Sequence, residues 1–444
     1  MAEVIIDRPE YLEQLKQWHG QTDLVKIVTG VRRCGKSKLF SLYQTDLMMH
    51  EKVLPQQIIN INLEDLMQTR KIGLELDKEN FYINGEKLLD YVIANLIKGK
   101  MTYVFLDEIQ LLRNWQPIVN TLRLQENVDI YLTGSNAYMF SSDLANSFGG
   151  RYIEIKMQPF SLKEYYSAYQ SKAPLFVRTR QDVEELRNIG AIYSHYIKES
   201  GFPQTVNLIY NRQLISDYLL DTVYQNTIQK DIVKRFNIAD SSKLDAVVKY
   251  LFDNIGNETS INSITKSLKA SGANISAPTV TTYIQGLLDS YLLYKCEKYD
   301  MKGKRILEGN AKYYVVDLGL RTALLGQEDR DLGHILENVV FLELIRRGYK
   351  VSTGKVATKS VQKDGQTERK EIEVDFVAEK SGGNKEYYQV AYTIAEPETL
   401  NRELASLEAI DDHYPKYLLT MDYGRGDNNG IKRINVLDWL MDFE

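Results

Sequence analysis

The segment that most constrains the fold of this chain is a glycine-rich loop that directly follows a short apolar run. Residues 30–37 read GVRRCGKS, and residues 25–28 before them read VKIV. The loop matches the pattern G-x-x-x-x-G-K-[ST] and lies where that pattern requires it, between a predicted strand and a predicted helix. Its glycines let successive backbone N–H groups surround a phosphate, and the positive end of the helix dipole faces the same anion. The chain is therefore predicted to contain an α/β domain that binds a nucleoside triphosphate.

Each position of this loop has an expected contact with the nucleotide. Lys36 is expected to reach the β- and γ-phosphates, and the Ser37 hydroxyl is expected to bind Mg²⁺. A glycine turn beside a surface lysine is the structural alternative, and it leaves the match over the whole pattern unexplained. The residues predicted to contact ATP are Gly30, Arg32, Arg33, Gly35, Lys36, Ser37 and Lys38.

Two adjacent acids end a second apolar run. Residues 102–106 read TYVFL, and Asp107 and Glu108 follow them. Packing alone does not favour two carboxylates at the tip of a buried strand, whereas phosphoryl transfer does. We expect Asp107 to hold Mg²⁺ and Glu108 to polarise the attacking water.

Two further positions have both a catalytic and a structural interpretation. Ser135 and Asn136 follow a third predicted strand, where they can bind the γ-phosphate or its water, or form a plain turn. Arg151 precedes the predicted strand at 153–155. It can stabilise charge on the transferred phosphoryl group, within its own subunit or from a neighbouring one, or it can form a structural salt bridge.

The order of these motifs resembles a prokaryotic family of AAA-type ATPases. The matching segments are GVRRCGKS at 30–37, LDEIQ at 106–110, TGSN at 133–136, Gly150-Arg151, and MQPFSLKEY at 157–165. The resemblance implies that Arg151 is an arginine finger and that Ser135 and Asn136 form the sensor. It also implies that the ATPase core is followed by a winged helix and by an uncharacterised C-terminal domain of PD-(D/E)xK nuclease-like fold.

We predict an α/β fold class with four domains, because 444 residues are too many for one hydrophobic core. The predicted parts are a P-loop AAA-type ATPase core at 1–160, a helical lid at 161–238, a winged helix at 239–308, and a restriction-endonuclease-like α/β domain at 309–444.

The predicted winged helix consists of three helices and a hairpin. In a DNA-binding version, the third helix would present Thr279, Thr281, Thr282 and Gln285 to the major groove. Lys302, Lys304 and Arg305 on the hairpin would contact phosphates. The third helix has no lysine or arginine, and winged helices also serve as packing modules, so both interpretations stay open.

The C-terminal segment carries part of a nuclease motif. Glu337 matches the acid on the helix and Asp375 the acid on the strand of a Mg²⁺-dependent nuclease. Gln389 stands where a second strand acid is needed, and Ala391 stands where the lysine is needed. These departures predict a nuclease-like domain with a vestigial, inactive site. The alternative for Asp375 is an ion pair with Arg369 or Lys370.

Composition narrows the choice of partners and function. The net charge of −5 argues against a general coat for nucleic acid, and no apolar run is long enough to span a membrane. The start of the chain shows no secretory signal and the two cysteines suit a reducing compartment, so we expect a cytoplasmic protein.

The favoured function is an ATP-binding, Mg²⁺-dependent ATPase that acts as a conformational switch on DNA, RNA or a partner protein. The alternatives are an ATP-gated Mg²⁺-dependent nuclease and a nucleotide-binding DNA regulator with little hydrolysis. An oligomer is required if Arg151 acts on a neighbouring subunit.

Overall fold

Two units make up the structure, a computed structural model that describes residues 6–137, 148–172, 188–209, 211–238, 240–326, 331–361 and 367–443. The first unit comprises Met1–Pro159 and Asp289–Tyr291. The second comprises Phe160–Leu288 and Leu292–Glu444.

A five-stranded parallel sheet in the order β2-β3-β4-β1-β5 forms the centre of the first unit. Its strands are β1 (Val25–Thr29), β2 (Ile58–Asn62), β3 (Thr102–Asp107), β4 (Val128–Gly134) and β5 (Tyr152–Lys156). The helices of this unit are α1 (Pro9–Gln17), α2 (Lys36–His50), α3 (Leu66–Ile72), α4 (Gly85–Ala94) and α5 (Trp115–Arg123). The predicted P-loop α/β architecture is confirmed at this level.

The three central strands of this sheet are buried along their whole length. Every residue of β1, β3 and β4 is buried, because helices cover both faces of a parallel sheet. Parallel pairing of β1 with β4 and of β4 with β3 brings the carboxyl ends of these strands to one edge. The loops after Thr29, Asp107 and Gly134 therefore lie along the same edge of the sheet.

Helices form the amino-terminal half of the second unit. They are α6 (Leu162–Lys172), α7 (Ile189–Glu199), a continuous helical segment α8 at 212–236, α9 (Ser241–Asp253), α10 (Ile261–Ala270) and α11 (Ala277–Asp289). Segment α8 is π-helical over Tyr218–Tyr224 and Ile228–Val233.

An eight-stranded mixed sheet forms the rest of the second unit, in the order β12-β13-β11-β10-β9-β8-β6-β7. The strands are β6 (Leu293–Asp300), β7 (Arg305–Val315), β8 (Lys350–Val361), β9 (Thr367–Glu379), β10 (Lys385–Ala391), β11 (Lys416–Thr420), β12 (Gly426–Asn428) and β13 (Ile431–Asn435). The accompanying helices are α12 (Leu318–Leu325), α13 (Leu332–Arg346), α14 (Pro397–Glu408) and α15 (Val436–Leu440).

The predicted domain boundary at 308/309 falls inside strand β7. A single strand with an irregular register runs across this boundary. The hairpin β6–β7 also pairs through β6 with β8, in parallel. The hairpin assigned to the winged helix and the strands of the predicted nuclease-like domain thus share one sheet.

Strand β7 is joined by backbone hydrogen bonds to the segment that contains helices α9–α11. Thr259 and Ala311 exchange N–H···O bonds of 2.9 and 3.0 Å, and the Gly256 N–H donates to the Tyr313 carbonyl at 3.1 Å. The three helices and the sheet are therefore parts of one hydrogen-bonded body.

The buried carboxylate of Asp317 joins α12 to the turn after α7. It accepts hydrogen bonds from the N–H groups of Leu320 and Gly201, both at 2.8 Å. Burial raises the pKa of Asp317 to about 6, against the effect of these donors.

Among the helices that the structure describes, none combines the length and the apolar character needed to cross a bilayer.

Candidate functional site

The loop between β1 and α2 has a backbone that its glycines make possible. Gly30 and Gly35 have φ values of 145° and 107°. A Cβ atom on Gly30 would lie 2.0 Å from the Met157 carbonyl oxygen, so a larger residue cannot occupy this position without displacing backbone. Helix α2 begins at Lys36, directly after Gly35, so the positive end of its dipole lies at this loop.

The ammonium group of Lys36 lies inside this loop. It donates hydrogen bonds to the carbonyls of Gly30 at 3.0 Å and Val31 at 3.2 Å, and it is 3.9 Å from Oε1 of Glu108. The side chain is 3% exposed. The predicted phosphate-binding lysine and the predicted catalytic acid are thus neighbours.

Asp107 is hydrogen-bonded to the residue expected to share its metal. The Ser37 hydroxyl and the Thr133 hydroxyl both bond its carboxylate, and burial raises the pKa of Asp107. A carboxylate and a hydroxyl in contact beside a phosphate-binding loop are the oxygen ligands that Mg²⁺ uses in nucleotide sites. The residues present therefore fit the predicted metal.

Glu108 is held by two contacts that the sequence did not single out. Its backbone adopts a left-handed conformation with φ 54°, and its N–H donates to the Thr133 hydroxyl at 2.9 Å. The Gln110 side-chain amide donates to Oε2 of Glu108 and, at 3.2 Å, to the Ser135 hydroxyl. Gln110 therefore joins the predicted catalytic acid to the predicted sensor.

The other predicted nucleotide-binding residues lie in the loop or directly after it. Arg32 lies 3.9 Å from Oε1 of Glu64, Arg33 is exposed, and Lys38 is half-buried on the first turn of α2. Asn136 is buried directly after Ser135. The structure thus places these residues at the carboxyl edge of the sheet.

Arg8 supports the loop from the amino-terminal segment. Its buried guanidinium donates to the Cys34 carbonyl at 3.2 Å and to the Gln158 carbonyl at 2.9 Å. No local pattern marks Arg8 in the sequence, because the contacts that define its position span 26 and 150 residues of chain.

Arg151 lies at the opposite edge of the same sheet. Tyr152 begins β5 opposite Val25, the first residue of β1, and the Val25 N–H donates to the Arg151 carbonyl. The phosphate-binding loop follows Thr29 at the other end of β1, about 13 Å further along the strand. The Arg151 side chain is 54% exposed and lies 3.4 Å from Asp23. This position agrees with the salt-bridge alternative and is remote from the phosphate-binding loop of its own subunit.

The predicted nuclease residues come together in the second unit around a lysine that was not predicted. Oε1 of Glu337 accepts hydrogen bonds from Lys312 Nζ at 2.8 Å and from the Tyr314 hydroxyl at 2.6 Å. Asp375 lies 4.0 Å from the same ammonium group, and burial raises its pKa well above the usual value. The Gln389 carbonyl oxygen accepts from the Asp375 N–H at 3.3 Å. The side chains of Arg369 and Lys370, the other predicted partners of Asp375, lie outside the described residues.

Polar side chains of the predicted DNA-binding surface are exposed, except for the half-buried Thr279. The Thr281 and Thr282 hydroxyls bond carbonyls of their own helix at 3.0 and 3.1 Å, and the Thr279 hydroxyl pairs with Ser276 at 2.8 Å. Gln285 on the same helix is exposed, as are Lys302, Lys304 and Arg305 beside the β6–β7 turn.

Comparisons with known proteins place the chain in a protein family. An AAA domain matches residues 22–166, and a domain of unknown function (DUF8612) matches residues 191–331. An uncharacterized protein of Haemophilus influenzae is 33% identical over 446 residues, covering 99% of this chain and 100% of that protein. An uncharacterized protein of Methanocaldococcus jannaschii is 30% identical over 421 residues, covering 92% of this chain and 85% of that protein. The chain is also similar to the solved Walker-type ATPase of Pyrococcus abyssi, with 15% identity, a TM-score of 0.47, and coverage of 72% of this chain and 96% of that one.

Proposed function

This chain belongs to the same family as the Haemophilus influenzae protein and carries an AAA-type P-loop ATPase core, and from that premise we propose that it is a Mg²⁺-dependent ATPase working as a conformational switch. The observation that carries the proposal is the convergence of Lys36, Asp107 and Glu108 at one loop. Lys36 Nζ lies 3.9 Å from Glu108. The Asp107 carboxylate is hydrogen-bonded to Ser37, which follows Lys36 at the start of helix α2.

The residues of the loop would bind and orient ATP. Backbone N–H groups of the loop and of the start of α2 would bind the β-phosphate, and Lys36 would place its positive charge against the β- and γ-phosphates. Ser37 and Asp107 would hold Mg²⁺, which when bound neutralises charge that develops on the phosphate oxygens. To bind the phosphates, Lys36 exchanges its hydrogen bonds to the Gly30 and Val31 carbonyls for bonds to the nucleotide.

Glu108 would orient the attacking water and accept its proton. Its Oε1 faces Lys36 and therefore the position of the γ-phosphate, while its Oε2 is bonded by Gln110. The second bond of Gln110, to Ser135, would let the sensor and the catalytic acid respond together to the γ-phosphate. Gln110 is in this scheme a positioning residue, since it acts through Glu108.

We expect Gln110→Ala to lower kcat by about 10- to 100-fold with little change in KM for ATP, because a misplaced catalytic group affects the chemical step. The binding of ATP should stay close to that of the wild type, since Gln110 contacts Glu108 and Ser135 and does not belong to the phosphate-binding loop. Steady-state ATPase kinetics measure kcat and KM separately. Gln125→Ala, outside the site, is the matched control, and an unchanged kcat in Gln110→Ala would remove Gln110 from this role.

ATP hydrolysis by the purified chain tests the proposal as a whole. We expect phosphate release that requires Mg²⁺ and stops when a chelator removes it. The rate and the native mass should be measured with ATP alone and with added single- or double-stranded DNA. Absence of hydrolysis under all of these conditions would contradict an ATPase and favour the nucleotide-binding regulator.

Arg151 is proposed to act on the ATP of a neighbouring copy. The support is its exposed side chain at the edge of the sheet opposite its own phosphate-binding loop. An arginine finger supplied by a second subunit stabilises the charge of the transferred phosphoryl group and makes hydrolysis depend on assembly. The active form would then be an oligomer.

The output of the switch is proposed to pass through the second unit. Helices α6–α8 would act as the lid, and helices α9–α11 with the β6–β7 hairpin as a winged helix. The exposed Lys302, Lys304 and Arg305 favour phosphate contacts, and the exposed Thr281 and Thr282 suit a groove of nucleic acid. This surface supports DNA or RNA as the partner, in the cytoplasmic compartment predicted from the sequence.

A further inference from the structure

A buried charged group in the eight-stranded sheet plays no part in ATP hydrolysis. It consists of Lys312 on β7 and of three acids, Glu337 on α13 and Glu373 and Asp375 on β9, which we call the carboxylate cluster. Lys312 and Glu337 are each 8% exposed, and Asp375 is 13% exposed. Glu373 is 37% exposed, so ions in solution can reach the cluster from its side.

The ammonium group of Lys312 occupies the centre of the cluster. It lies 2.8 Å from Glu337, 2.6 Å from Glu373 and 4.0 Å from Asp375. Each acid thus faces the same cation, which is supplied by β7, the last strand in the order of this sheet. Charges buried to this degree are tolerated in proteins only when they are paired in this way.

A nuclease-like fold implies a divalent metal among the same acids, and the residues present do not fit one. In the part of the chain that the structure describes, no three His, Cys, Asp or Glu side chains are arranged to hold a metal ion. The remaining oxygen of Asp375 accepts the Val390 N–H at 2.9 Å.

Gln389, which replaces the second strand acid, is also committed to contacts within the protein. Its amide nitrogen donates to Glu403 at 2.8 Å, and its oxygen accepts from the Ser406 hydroxyl at 3.0 Å. The same oxygen also accepts the Asp375 N–H at 3.3 Å, so both of its lone pairs are used and none is left for a cation.

We propose that the ammonium group of Lys312 is the resident cation of the carboxylate cluster and takes the place of the divalent metal. The cluster then joins β7, α13 and β9 permanently, whatever the metal concentration. The C-terminal part of the chain, on this basis, does not cleave nucleic acid by metal-dependent hydrolysis. The proposal is independent of the ATPase, since none of these residues belongs to the nucleotide site.

A Mn²⁺ titration of the nucleotide-free full-length chain tests the proposal directly. We expect millimolar Mn²⁺ to change the melting temperature of Asp107→Asn, which lacks the metal ligand proposed at the nucleotide site, by less than about 1 °C, because the carboxylate cluster already holds its cation. If calorimetry detects Mn²⁺ binding to the wild type, the same binding should remain in Asp375→Asn. Binding that is lost in Asp375→Asn and kept in Asp107→Asn would locate a metal at the cluster and overturn the proposal.

Substitution of the lysine gives the complementary result. Lys312→Met leaves three acids without a cation and should lower the melting temperature by roughly 10 °C. Millimolar Mn²⁺ should then restore several degrees, since the vacated position is surrounded by carboxylates. Lys295→Met, on β6 and 41% exposed, is the matched control and should melt like the wild type. A Lys312→Met protein as stable as the control would contradict the proposal, and if this variant does not fold, the titration of chains that keep Lys312 decides.

Discussion

Glu108→Gln is expected to bind ATP with unchanged affinity and to hydrolyse it about 100- to 10,000-fold more slowly. The substitution keeps the shape of the side chain and its bond with Gln110, so the loop and the left-handed backbone at Glu108 are not disturbed. It removes the negative charge that orients the water and accepts its proton. Single-turnover hydrolysis and equilibrium binding of a fluorescent ATP analogue separate the two effects.

Glu126→Gln is the matched control for this measurement. Glu126 is an exposed acid of the same unit, before β4 and away from the loop, and its substitution should leave the rate unchanged. Hydrolysis by Glu108→Gln at the wild-type rate would exclude Glu108 as the catalytic acid. The conformational-switch proposal would then need another residue to activate water.

Lys36→Ala is expected to weaken ATP binding by about 100-fold or more, because it removes charge-assisted hydrogen bonds to two phosphate groups. It also leaves Glu108 without the positive charge that lies 3.9 Å away, so the acid would repel the incoming γ-phosphate. Binding measured by calorimetry should therefore fall, and hydrolysis should fall with it.

The exposed Lys98, in the turn after α4, provides the control Lys98→Ala, which should bind ATP like the wild type. The two variants should differ in the step that fails. Lys36→Ala should lose ATP binding, whereas Glu108→Gln should keep ATP binding and lose hydrolysis. Equal ATP affinity of Lys36→Ala and the wild type would contradict the proposed nucleotide site.

The nucleotide site could be predicted from the sequence because its chemistry lies in short continuous segments. The loop at 30–37 and the acids Asp107 and Glu108 each follow a buried strand, and parallel strands bring such segments to one edge. Residues 106–110 already contain Gln110, but its bonds to Glu108 and Ser135 depend on the turn that the backbone takes after β3. The sequence shows that residues 106–110 carry the catalytic acid, but it does not show that the Gln110 side chain turns towards that acid.

The C-terminal site was only half predictable for a related reason. Glu337 and Asp375 match a known spacing, and the loss of a lysine at position 391 was visible as Ala391. The lysine that the structure brings to these acids, Lys312, is 25 residues from Glu337 and 63 from Asp375 along the chain. It lies on β7, the strand that contains the predicted domain boundary at 308/309. Pairing between distant strands decides such contacts, and local periodicity carries no information about it.

The course of β7 bears on how a movement of helices α9–α11 would reach the C-terminal strands. Strand β6 pairs with β8, and β7 is hydrogen-bonded to the segment of these helices at Thr259 and Gly256. Main-chain hydrogen bonds therefore run from this segment through the basic hairpin into the sheet. If ATP turnover displaces the three helices, the strands paired with this hairpin are expected to move with them.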